Sequence, residues 1–176
     1  MKAMLSFITK TLPLAGAISV GVASSSLLAA DLDRSDKSFI NNAYQDGLAE
    51  VKAGELALGK TANADVKTFA QHMVTDHGSA NSDLKSLADS KKVELPSGPS
   101  LVAQGKEKYL DTKSGSDFDK AFASGMVSDH KKAVDAFEKA ANEAKDPDVK
   151  AFATKTLPTL KSHLTMAEDL QQKIGK

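Results

Sequence analysis

The sequence predicts an all-α protein, a four-helix bundle made of two duplicated helical hairpins. Three observations carry this. Apolar residues recur at helical spacing (i, i+3, i+4, i+7) along four long segments. Ala, Lys, Leu, Asp and Ser dominate, proline is absent between residues 31 and 95, and aromatics are few, which favours helices in small-residue contact over sheets. Finally, the sequence repeats itself at an offset of 83. Asp36, Lys37 and Phe39 recur as Asp119, Lys120 and Phe122, and Asp46, Val51, Ala53, Glu55 and Ala57 recur as Asp129, Val134, Ala136, Glu138 and Ala140. Asp65-Val66-Lys67 and Phe69-Ala70 return as Asp148-Val149-Lys150 and Phe152-Ala153. Two such hairpins bury their apolar stripes by facing one another.

The first 30 residues stand apart. Lys2 and Lys10 precede an apolar, acid-free run, LPLAGAISVGVASSSLLAA, that ends on Ala29 and Ala30 before the first acid, Asp31. This is the pattern of a secretory signal peptide. The run is interrupted by Gly and Ser and is short for a membrane span, which needs about 20 apolar residues. Residues 31–176 then form the bundle domain. Its first helix is expected over Asp36–Thr61 with Ser35 as N-cap, and its second over Asn63–Lys91. The linker VELPSGPS breaks the pattern, a short helix follows near Leu101–Thr112, and the whole connection is long enough to cross the bundle. The third long helix is expected over Ser116–Ala144 and the fourth over Pro147–Lys173, with Asp146 as cap and Pro147 in the first turn. Pro158 predicts a kink in the fourth.

Without its first 30 residues the chain has 21 basic and 23 acidic residues, since only Lys2 and Lys10 are lost, giving a net charge near −2. Nucleic-acid binding needs a basic face and is not expected. There is no Cys, hence no disulfide framework, thiol site or lipid-bearing cysteine. The chain is expected in the bacterial periplasm, with peripheral envelope association open to it. No Ser-His-Asp order and no glycine-rich phosphate loop is present, so binding is expected ahead of catalysis.

Two of the four histidines close one short phrase, MVTDH at 73–77 and MVSDH at 126–130. His77 lies in the stripe Val66, Phe69, Met73, Ala80, Leu84, whereas His72 falls on the wet face with Asp65, Thr68 and Asp76. His130 lies in the stripe Phe122, Met126, Val134, Phe137, and His163 in the stripe Val149, Phe152, Leu160, Ala167. On the first helix Glu50 is flanked by Gly47, Val51 and Gly54. A buried carboxylate without a partner is costly, and the glycines leave room beside it. With hairpin tips near 62 and 145, Glu50 lies 12 residues before its tip and His77 15 after. His130 lies 15 before the second tip and His163 18 after. All four therefore approach one central layer. Glu50, His77, His130 and His163 are the expected ligands of a single divalent transition metal, Zn, Fe, Cu or Ni. Asp76 and Asp129 are candidates to hydrogen-bond the ligands from behind. The competing expectation is a structural or stress-related envelope protein without metal, whose core histidines fix helix packing.

LAEVKAGELA, DVKTFAQHMVTDH, FDKAFASGMVSDHKKAVDAFEKAA and DPDVKAFATKTLPTLKSHLTMA resemble the bacterial family called domain of unknown function 4142, over about residues 35–172. The resemblance implies a secreted protein, often labelled an outer-membrane protein, with a ferritin-like fold and no assigned reaction. The chain departs from the di-iron pattern of ferritins, which pairs Glu-x-x-His motifs. Three residues before His77, His130 and His163 stand Val74, Val127 and Leu160. Iron storage and ferroxidase chemistry are not carried over.

Overall fold

The computed structural model describes residues 32–175, so the expected signal peptide lies outside the described residues. They form α1 (Arg34–Lys60), α2 (Ala64–Lys91), α3 (Leu101–Asp111), α4 (Gly115–Glu143) and α5 (Pro147–Ile174). The first helix begins earlier than expected because Asp33, not Ser35, caps it, its carboxylate accepting from the Ser35 amide at 2.8 Å. Asn63 and Asp146 cap α2 and α5 on their first free amides, and Pro147 stands in the first turn of α5. That helix runs unbroken through Pro158. Proline removes the donor for the Thr154 carbonyl, and both residues lie on the exposed face, where water can take its place.

The hairpins α1–α2 and α4–α5 pack with α1 against α4 and α2 against α5. Direction follows from the ends. Lys91 Nζ meets Asp148 Oδ2 at 2.6 Å and Lys173 Nζ meets Asp65 Oδ2 at 2.8 Å, so α2 and α5 are antiparallel. The start of α1 touches the end of α4 through Asp36, and the end of α1 touches the start of α4 through Thr61, so these two are antiparallel as well. The chain must therefore travel the length of the bundle between α2 and α4. It does so along the α1/α4 groove, held there by Gln45 Nε2 donating to the Gly98 carbonyl at 3.3 Å and by Lys60 and Asp111 at 2.8 Å. This long crossover makes the fold a ferritin-like bundle.

The repeat is visible as reciprocal contacts. Asp36 and Asp119, 83 residues apart, are both buried. Asp36 Oδ2 accepts from the Lys145 and Asp146 amides at 3.0 and 2.7 Å, while Asp119 Oδ1 accepts from the Thr61 hydroxyl at 2.6 Å. Each hairpin thus ties the tip of the other. Between the tips lie two apolar clusters. One contains Phe69, Met73, Phe118, Phe122 and Met126, and the other Ile40, Leu84, Phe137, Phe152 and Leu160. Where they meet, one polar side chain enters from each long helix.

Candidate metal centre

That layer consists of Glu50 from α1, His77 from α2, His130 from α4 and His163 from α5. They are 6%, 5%, 0% and 2% exposed. His72 lies outside, its side chain 47% exposed, as stripe position requires. The three buried imidazoles form a nearly equilateral triangle, with ring centroids 5.5 Å apart for His77–His130, 5.2 Å for His77–His163 and 5.5 Å for His130–His163. Phe69 packs edge-on against His130 and His163, 6.2 and 6.5 Å between centroids, and closes the site on the side of the first apolar cluster.

Each ring has one nitrogen engaged and one free. His77 Nδ1 lies 2.9 Å from Glu50 Oε2, His130 Nδ1 lies 3.0 Å from the Met126 carbonyl, and His163 Nε2 lies 2.9 Å from Asp76 Oδ2. A carbonyl can only accept, so His130 carries its proton on Nδ1 and turns a lone pair outward on Nε2. The same logic leaves His163 with its lone pair on Nδ1. The other nitrogens, His77 Nε2, His130 Nε2 and His163 Nδ1, are buried with no hydrogen-bond partner. One ring nitrogen from each histidine lies within 4.8 Å of those of the other two. A first-row ion with bonds of about 2.0–2.1 Å to tetrahedral nitrogen ligands needs them about 3.4 Å apart, so side-chain adjustments of about an ångström would close the set.

The charges are divided. Burial works against a charged Glu50, but the positive charge and hydrogen bond of His77 hold its carboxyl below the ordinary value. Burial likewise opposes a charged His77, and Glu50 outweighs it and raises the imidazole. Burial lowers His130 despite the charge of Glu50, and it lowers His163 to about 4 despite its hydrogen bond to Asp76. The layer at neutral pH is one carboxylate–imidazole pair beside two neutral rings.

The Glu50 carboxylate engages Nδ1 of His77 and lies 3.6 Å from Nδ1 of His130. Asp129 turns away to Lys106 on α3, with Lys132 at 3.9 Å, because its place beside His130 on α4 points outward under the crossover. Asp76 does stand behind a histidine, His163, which belongs to the other hairpin. The site also breaks the repeat: the offset of 83 places Gly47 opposite His130 and Ala80 opposite His163. Sequence reading passed over the Met126 carbonyl and Asn81. Both are one turn from a histidine, at i−4 from His130 and i+4 from His77.

A family profile described as Domain of unknown function (DUF4142) matches residues 22–170. Among solved structures, a DUF305 fragment from Deinococcus radiodurans is similar with a TM-score of 0.70 and 14% identity, over 81% of this chain and 98% of that one. CopM in its Cu(I)-bound form is similar with a TM-score of 0.66 and 18% identity, over 78% of this chain and 96% of that one. A DUF305 protein from Streptomyces coelicolor, described as secreted, has a TM-score of 0.68 and 15% identity, over 80% and 94%. At these identities the likeness is one of fold. No curated protein matches the chain. Among the described residues no helix is long and apolar enough to cross a membrane.

Proposed function

The chain belongs to the DUF4142 family, and we propose that it is an exported bundle holding a single transition-metal ion on His77, His130 and His163. The observation that carries this is the convergence of three buried histidines, each with a ring nitrogen that has no partner. Each unsatisfied buried polar atom costs about 1–3 kcal/mol, and one ion would satisfy all three. Hydrogen bonds to Glu50, Met126 and Asp76 orient the rings from behind, as outer partners orient histidine ligands in metal proteins. Nitrogen ligands without thiolate suit Zn, Cu, Fe or Ni. The copper of CopM makes copper the first ion to test. Export rests on the signal-like start of the chain and agrees with the secreted description of the Streptomyces coelicolor relative.

The second reading, a metal-free envelope protein, is favoured by the Glu50–His77 pair, which satisfies a buried carboxylate without any ion. Elemental analysis of untagged protein purified without chelator separates them. One ion per chain supports the metal reading, and none after incubation with Cu, Zn, Fe or Ni sinks it.

A further inference from the structure

A groove of about 940 Å³ is lined by residues of α1, α2, α4 and α5 and reaches Glu50 and His77. Its walls include Phe39, Leu84 and Phe137. The exposed Lys139, Lys145 and Lys150 also line it, as do Asp36, Asp46 and Glu143. One turn along α2 from His77, Asn81 lines the same groove. It is 9% exposed, and its amide nitrogen Nδ2 is buried without a hydrogen-bond partner. Space for this amide is kept by Gly47, where a Cβ would collide with the Asn81 side chain. A buried donor without an acceptor calls for a partner, which a bound ligand can supply.

We propose that this groove binds a small carboxylate with an apolar body, whose carboxylate reaches Asn81 Nδ2 and the open coordination position of the ion held by His77, His130 and His163. This deepens the metal reading and rests on it. Three neutral imidazoles add no charge to a divalent ion, and the carboxylates of Glu50 and Asp76 offset its charge from behind the ligands, so the carboxylate is recognised by direct coordination and by Asn81 Nδ2. Three protein ligands also leave a fourth position free, as in metal sites that take exogenous ligands. The aromatic walls bury a hydrocarbon body. The volume lies within the range of small-molecule pockets.

The test uses Co(II)-loaded protein, shown to carry one cobalt per chain, titrated with benzoate and with acetate while the visible spectrum is followed. Benzoate should perturb the cobalt bands saturably and bind roughly tenfold or more tighter than acetate, because only benzoate has a ring to bury. Asn81→Ala should weaken benzoate roughly tenfold. Gly47→Ala, which improves helix propensity while displacing the amide, should do the same from the facing helix. One cobalt per chain with no response to benzoate, equal affinities for benzoate and acetate, or no effect of either variant would overturn the inference and leave the metal site standing. Failure to hold cobalt in the wild type would overturn both.

Discussion

Glu50 Oε2 and His77 Nδ1 lie 2.9 Å apart across the α1–α2 contact, each side chain only 7% exposed. The carboxylate therefore orients the ring and raises its basicity while leaving Nε2 free. Glu50→Gln keeps the volume and an acceptor but removes the charge. It should lower metal affinity about 10–100-fold while stoichiometry stays at one ion per chain, as measured by calorimetric titration. Complete loss of binding would instead make Glu50 a ligand.

The metal-free protein should lose stability as pH falls from 6.5 towards 4. His163 titrates at about 4 in the native state, below its ordinary 6.5, and His130 is lowered too, so in this window the unfolded chain binds more protons. Glu50, also lowered, acts in the same direction near its own ordinary value, its contribution fading as pH falls. His77 acts oppositely: raised, it contributes fully below its ordinary value and fades as pH rises through its native one. The two neutral rings and Glu50 should dominate in acid, giving a lower urea midpoint at about pH 4.5 than at about pH 7. Metal affinity should fall over the same range, because protons compete for the free nitrogens. An unchanged midpoint would show that His130 and His163 are charged in the native state.

Helix contact sets opposite outcomes for two glycines. A Cβ at Gly54 would stand 2.9 Å from the Ala70 carbonyl oxygen and 3.0 Å from Val74 Cγ2, so α1 and α2 would have to separate. Gly54→Ala should destabilise by about 1–3 kcal/mol. At Gly78 nothing lies within 4 Å, and Gly78→Ala should stabilise by about 0.5–1 kcal/mol through helix propensity. Thermal melts of both variants decide this, and the same sign for both would contradict the packing.

The reciprocal ties at the tips differ in strength. Asp36 satisfies two backbone amides of the other hairpin and Asp119 a single hydroxyl. Asp36→Ala should cost about 1–3 kcal/mol and Asp119→Ala about 0.5–1.5 kcal/mol in denaturant unfolding. Equal or reversed losses would count against the hydrogen-bond account.

Much of this was legible from spacing. The stripes of the long helices placed His77, His130 and His163 inside and His72 outside, and the repeat paired the hairpins. Stripe membership fixes which face a side chain occupies, but not which ring nitrogen it turns inward. Hence Glu50 was legible as a core residue at the right level and not as the partner of His77 Nδ1. Asp129 looked equivalent to Asp76 because both precede a histidine. Only the path of the crossover, which brings Lys106 over α4, separates them, and linker sequence does not encode that path. Asn81 reads as an unremarkable polar residue until Gly47 is seen to make room for it across the helix contact.

The central claim is that one ion sits on three histidines, and metal content of histidine variants tests it most directly. After incubation with excess Cu, Zn, Fe or Ni and desalting, untagged wild type should retain one ion per chain. His77→Ala, His130→Ala and His163→Ala should each lose stoichiometric binding, while His72→Ala should retain it. Binding that survives in all three core variants, or a wild type that retains none of the four metals, would contradict the account.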